Sequence, residues 1–434
     1  MSEILIQFGC WNNKNTENGK TVGGLQIVME AIKKYARKQK PKFLIVSGDN
    51  YYPQKEKSKD GTTLGEMVYP AKLQAGFDLL PSELQIYMML GNHDLETNLK
   101  KNSLKIVDPP NETRDENNCE ILQMEKANIR GKRNIEFSFF NSKMLKHGTL
   151  VLMIDTSIYE DDSKSYLRCY KEFFKNDTEI DQPINIASLI QHQRKKIKNV
   201  LENYKGNIKN IILVGHHPIM YLKYKEDKDE KKNKPGKSEK EGKSEKEGKS
   251  EKEGKSEKEG KSEKPEKSEK KPKEKGIIIR DDINIKSLLE EIYIPDVNYH
   301  YLCSDLHLYQ KGLLTFNFGE GKIMEIQQYI VGTGGTKLDN EIPVEELNKY
   351  IEANPVSIKN GIQYVFEEEK AQYGFLECVN TASGPSFTFI NAEDTSISLK
   401  ETLLTSGNFQ MFGGKKTKKQ NKKRKNKSNK KLTV

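Results

Sequence analysis

Short runs of apolar residues recur along the chain, and each closes on glycine or a polar turn. They are ILIQFG from Ile4, KFLIVSGDN from Lys42, QIYMMLGNHD from Gln85, TLVLMIDTS from Thr149, NIILVGHHP from Asn210 and NYHYLCSD from Asn298. Continuous apolar runs of this length suit strands buried on both faces. Between several of them, GLQIVMEAIKKYARKQ and SLIQHQRKKIKNVLENY carry apolar residues at helical spacing and predict amphipathic helices. Strands alternating with helices predict βα units around largely parallel sheets. Ligands bind such sheets beyond the carboxyl ends of the strands, which is where the polar clusters fall.

Two segments break this pattern by composition. From about Lys223 to Lys275 the chain is nearly all Lys, Glu, Ser, Gly and Pro, with GKSEKE repeating from Gly236, Gly242, Gly248 and Gly254 and a variant at Gly260. The unit has no apolar residue to stack, so nothing offsets its ordering entropy and a disordered linker is expected, spanning roughly 40 Å. The second segment is the tail from Lys415, with eleven Lys and Arg and no acid. The net charge is +10, so removing the tail leaves about −1 and a nearly neutral remainder. The tail has three readings: non-specific contact with nucleic-acid phosphates, a nuclear targeting signal, or a solvated extension. It has no aromatic residue after Phe412, so base stacking is not supported.

Five cysteines, Cys10, Cys119, Cys169, Cys303 and Cys378, are scattered and have no CxxC spacing. That argues against a disulfide framework or a zinc ribbon and for a reducing compartment. No signal peptide or membrane span is evident. The expectation is a cytoplasmic chain without membrane contact, with nucleus or virion as the other compartments.

The strand ends carry Gly9-Cys10-Trp11-Asn12, Gly48-Asp49-Asn50-Tyr51-Tyr52, Gly91-Asn92-His93-Asp94, Gly215-His216-His217-Pro218 and Ser304-Asp305-Leu306-His307. Singly, each is weak, since Gly-Asp-Asn is also an ordinary turn. Together, carboxylates, amide oxygens and imidazoles at successive strand ends suit a site for two hard or borderline cations.

At this point the sequence resembles the calcineurin-like metallophosphoesterases through GDNYY, GNHD, VGHHP and SDLH, and the tyrosines of GDNYY resemble the purple acid phosphatase branch. The Lys/Asn-rich tail resembles proteins of large AT-rich DNA viruses. The family resemblance implies an α/β fold of two β-sheets packed face to face and flanked by helices, the four-layer αββα sandwich. It also implies a metallophosphoesterase domain in two parts, 1–222 and 277–400, while composition gives the disordered insertion at 223–276 and the disordered basic tail at 401–434. Further implied are two metal ions, Fe, Zn or Mn, and hydrolysis of a phosphate-ester substrate by attack of metal-bound hydroxide. Carried over block by block, Asp49 would bridge the metals, Tyr52 and His307 would bind the first, and Asn92 and His216 the second. His93 would be the general acid with Asp94 orienting it, and His217 would touch substrate phosphate.

Two positions depart from the family pattern. Cys10 stands where the first block has Asp, and Asp305 where the last block has its first His. A thiolate binds zinc and iron well, and a carboxylate offers a hard oxygen, so both remain metal-ligand candidates. The other reading of Cys10 is a small buried hydrophobe. Losing both family ligands would instead make the protein a pseudo-phosphatase that serves as a binding or scaffold module. Residues 95–135 are charged and turn-rich, and are read as a rim insertion or a plain surface loop.

Overall fold

The computed structural model describes residues 2–12, 16–17, 20–21, 23–52, 54–57, 63–67, 70–95, 134–161, 163–225 and 276–394. Most of the turn-rich stretch, the six-residue repeat and the basic tail lie outside them.

Four strands of the first third, β1 (Glu3–Phe8), β2 (Phe43–Val46), β3 (Gln85–Met88) and β4 (Ile135–Phe137), pair side by side in parallel. Next come β5 (Phe140–Met144), β6 (Thr149–Ile154), β7 (Asn210–Val214), β8 (Tyr221–Lys225) and β9 (Gly276–Arg280). The last are β10 (Asn298–Cys303), β11 (Tyr309–Asn317), β12 (Ile323–Val331), β13 (Ser357–Lys359), β14 (Ile362–Lys370), β15 (Gly374–Thr381) and β16 (Gly384–Asn391). They build a six-stranded sheet in the order β16-β15-β1-β2-β3-β4 and an eight-stranded sheet in the order β13-β14-β11-β12-β10-β7-β6-β5.

The apolar runs are buried on both faces because each strand serves two layers. In β1, Leu5 joins Ile45, Met153, Ile212 and Leu302 in a core drawn from both sheets, whereas Ile6 and Phe8 pack in the larger cluster with Val28, Met29 and Ile32 of the helix Gly24–Gln39. That helix turns Leu25, Val28, Met29, Ile32, Tyr35 and Ala36 inward at the spacing of one helical face. On the other side, the helix Ile186–Asn203 starts at a reciprocal cap, in which Asn185 and Ser188 each accept the other's backbone N–H. The result is an α/β sandwich of two sheets with helices outside.

Three expectations change. The sheets are only partly parallel: β5, β11, β13, β14, β15 and β16 join in antiparallel pairs. Several of these strands alternate buried and open positions, as β11 does, which suits an antiparallel sheet with one wetter face. The linker boundary also moves, since β8 pairs with β9 out to Lys225↔Gly276, taking residues 223–225 and 276 from the expected disordered insertion. Paired backbone groups and the burial of Tyr221 and Leu222 anchor that hairpin, which composition alone missed. Finally, Cys169 is disulfide-bonded, where scattered free thiols were expected. One bond is not a framework. Cys10, Cys303 and Cys378 are free and buried. No helix among the described residues is long and apolar enough to cross a membrane.

Candidate metal centre

The parallel strands place the polar clusters at one edge of the sandwich. Cys10, Asp49 and Asn92 follow β1, β2 and β3 of one sheet, and His216 and Asp305 follow β7 and β10 of the other. The sheets approach closely there. A Cβ on Gly9 would lie 2.3 Å from Ser304 Oγ, and Ser47 and Ser304 hydroxyls meet at 3.2 Å across the gap. Gly91 clears the centre itself, since a Cβ there would fall 2.3 Å from Asp49 Oδ1 and 2.8 Å from His216 Nε2. The glycines of these motifs therefore do more than turn the chain.

The candidate side chains converge. His216 Nε2 lies 3.2 Å from Asp49 Oδ1, 3.2 Å from Asn92 Oδ1 and 3.6 Å from Asp305 Oδ1. Tyr52 Oη donates to Asp49 Oδ2 at 2.8 Å and lies 3.1 Å from His307 Nε2. Cys10 Sγ is 3.9 Å from Asp49 Oδ2. Cys10, Asp49, Tyr52 and His216 are buried, while Asn92, His93, Asp305 and His307 are half-buried and form the open side. His93 is held by its backbone N–H, 3.2 Å from Asp49 Oδ1, and its ring stands 4.6 Å from that of Tyr52.

Backbone strain marks the same residues. Cys10, Asp49 and Asp305 have φ of 53°, 52° and 55°. Asp tolerates this left-handed region better than most residues, whereas a cysteine chosen only to fill space has no reason to occupy it. Trp11, in contrast, belongs to the core: it is fully buried between Phe8 and Phe77, and its Nε1 donates to Asn50 Oδ1 at 3.2 Å.

Charge is arranged to be compensated. Burial opposes ionisation of Asp49, yet His216 and His93 beside it hold its carboxyl far below the usual range. Asp305 is likewise held down, to about 2, against burial, by its contact with His216. Burial and the charge of Asp49 push the Cys10 thiol and the Tyr52 phenol well up. Burial works against a proton on His216, but Asp49 and Asp305 outweigh it and raise its pKa.

Asp94, expected to orient His93, and neighbours to which the sequence reading gave no role (Asn50, Ser47, Thr156 and Glu160) set the geometry. Asp94 accepts from Asn50 N at 2.9 Å, Asn50 Nδ2 at 2.8 Å and Gly91 N at 2.8 Å, tying the second and third loops together. His216 Nδ1 lies 2.8 Å from Ser47 O, so it donates there and aims Nε2 at the centre. Thr156 and Glu160 contact His217, whose Nδ1 is 2.9 Å from Thr156 Oγ1 and whose Nε2 is 3.0 Å from Glu160 Oε1. The phrase IDTS was visible in the sequence, but nothing local marks Thr156 as adjacent to a histidine 61 residues away.

The donor set fits divalent metal ions. Cys10, Asp49 and His216 place one potential ligand atom each within 4.8 Å of one another, and so do His216, His217 and Asp305. A carboxylate as buried as Asp49 requires a cationic partner, a role that protonated His216 fills here and that a bound metal ion would take over.

The profile of the calcineurin-like phosphoesterase family matches residues 5–237, more than half of the 434-residue chain. No curated protein matches. Among solved structures, the chain is similar to the Plasmodium protein GAP50, described as the anchor in the inner membrane complex. The two share 12% identity with a TM-score of 0.42, over 92% of this chain and 87% of that one. It is also similar to a Mycoplasma pneumoniae protein described as a novel phosphatase, at 13% identity and a TM-score of 0.19, over 52% of this chain and 68% of that one.

Proposed function

Since the chain belongs to the calcineurin-like phosphoesterase family, we propose that it hydrolyses phosphate esters with two metal ions, of Fe, Zn or Mn, held by its seven converged donors. The observation that carries this reading is the joining of donors from both sheets around Asp49, within 3.9 Å of Cys10 Sγ, Tyr52 Oη and His216 Nε2. Cys10, Asp49, Tyr52 and His307 would hold one ion; Asp49, Asn92, His216 and Asp305 would hold the other. Tyr52 is what aligns the centre with the purple acid phosphatase branch. When bound, such a pair supplies Lewis acidity to the phosphate and a nucleophile from water near neutral pH.

The chain's own groups supply the rest. His93, on the open side, delivers a proton to the leaving oxygen. Asp94 holds the His93 loop against the Asp49 loop through Asn50 and Gly91. His217 lies beside the second ion's ligands and contacts a phosphate oxygen. The test is hydrolysis of aryl phosphate and bis-aryl phosphate by protein loaded with zinc, manganese or iron. His93→Ala should cost about 10²-fold or more in rate with metal content intact, and Asp49→Ala should lose metal as well. Absence of turnover with every metal would defeat the proposal.

A second reading rests on Cys10, which is fully buried with its thiol pKa pushed up. If Cys10 fills space and Asp305 does not replace an imidazole, the fold serves as a binding module. Full metal occupancy together with turnover that fails in Cys10→Ala would rule this out. Contact of the basic tail with nucleic acid is a separate proposal, and binding that ignored salt or survived tail deletion would end it.

A further inference from the structure

A single hydroxyl decides where the ring hydrogen of His217 sits. Thr156 Oγ1 accepts the backbone N–H of His216 and that of His217, each at 3.1 Å. A hydroxyl has two lone pairs and one hydrogen, so with both pairs engaged its hydrogen remains to be donated, and His217 Nδ1 at 2.9 Å is placed to accept it. Nδ1 is then an acceptor, and the ring hydrogen lies on Nε2. His216 is set the opposite way, with Nδ1–H given to Ser47 O and Nε2 turned towards Asp49, Asn92 and Asp305. The two rings stand 4.7 Å apart and nearly perpendicular, at 83°.

His217 lies close enough to join the centre, its nitrogen being within 4.8 Å of ligand atoms of His216 and Asp305. A nitrogen that carries hydrogen has no lone pair for a metal. It is a donor instead, and here it is an unsatisfied one. His217 is 1% exposed, and Nε2 has no hydrogen-bond partner among the described residues. Glu160 Oε1 is 3.0 Å away, but out of line for a hydrogen bond. Tyr301 Oη donates to the His217 carbonyl at 2.6 Å and pins the segment in place. Burying a donor without an acceptor costs free energy, so the position is built for an acceptor that arrives.

We propose that Thr156 is a positioning residue that keeps His217 out of the metal-ligand set and presents its Nε2–H to a non-bridging oxygen of a bound phosphate. This rests on the phosphoesterase reading and assigns roles inside that site to two adjacent histidines.

The experiment uses the full chain, zinc-loaded and labelled with ¹⁵N-histidine, with His217→Gln serving only to assign the signal. Two-bond ¹⁵N–¹H correlations should show His217 as the Nε2–H tautomer in the wild-type protein; an Nδ1–H tautomer would overturn the proposal without any variant. Calorimetry with inorganic phosphate is the second arm. Thr156→Val should bind phosphate about tenfold more weakly, and Thr156→Ser should restore binding to within about twofold, at equal zinc content. Unchanged phosphate affinity in folded Thr156→Val would also overturn it. Failure of the phosphoesterase reading shows separately, as wild-type protein that turns over no ester while the tautomer and the phosphate-affinity pattern hold.

Discussion

Cys10 Sγ lies 3.9 Å from Asp49 Oδ2, and both residues hold left-handed backbone, at φ 53° and 52°. The two loops are also joined by Cys10 N to Gly48 O and Trp11 N to Asp49 O, each at 3.2 Å. The proposed ligand role gives a reason for a cysteine to accept this conformation. Cys10→Ala should therefore lower metal content from about two ions per chain to about one by elemental mass spectrometry. Cys10→Asp, which tolerates the same φ, should keep both and shift preference from zinc towards harder ions. Unaltered metal content in the alanine variant would make Cys10 a packing residue.

Metal binding should release protons. Burial and nearby carboxylates raise the pKa values of Cys10 and Tyr52, and the carboxylates keep a proton on His216. A cation competes with each of those protons. Titrating zinc into the protein at pH 7 in weak buffer with an indicator dye should release more than one proton per chain, and fewer in Cys10→Ala. Binding without proton release would exclude all three as ligands.

Asp155 predicts a pH dependence away from the metal ligands. Burial pushes it up to about 6 from 3.8, although Tyr170 Oη donates to it at 2.6 Å and Ser157 N at 2.9 Å. A raised carboxyl pKa means the folded chain holds the proton more tightly than the unfolded one. The stabilisation is complete below about pH 4 and is lost as pH rises through about 6, amounting to about 3 kcal/mol. Denaturant unfolding at pH 4 and pH 7 should show a smaller difference in Asp155→Asn by about that amount. Identical pH dependence in the two proteins would contradict the assignment.

Gly91 leaves no room for a side chain, its would-be Cβ lying 2.3 Å from Asp49 Oδ1 and 2.5 Å from Asp49 N. Gly91→Ala should destabilise the fold by about 1–3 kcal/mol and weaken metal binding as the Asp49 loop shifts. Gly206→Ala makes the contrast: it has positive φ but nothing within 4 Å of its Cβ, so it should lose stability while keeping metal affinity. Equal metal affinity in wild type and Gly91→Ala would show that the close approach does not shape the centre.

The sequence by itself determined the strands that carry the site and the residue types at their ends. Apolar runs such as KFLIV and NIILV bury on both faces wherever they pair, and the polar turns after them must fall at a sheet edge. The helix Gly24–Gln39 was equally legible, since its inward face repeats at helical spacing. Only the tertiary structure decided which of those ends meet. Ser47 touching Ser304, Asp94 bonding Asn50, and Thr156 holding His217 join residues 44 to 257 positions apart through contacts that no local pattern encodes. The same holds for the antiparallel strands in both sheets and for the hairpin Lys225↔Gly276, where pairing across a long insertion overrides composition. A histidine's hydrogen is placed by the atoms around it in space, so the contacts that Ser47 makes to His216 and Thr156 to His217 could be read only after folding.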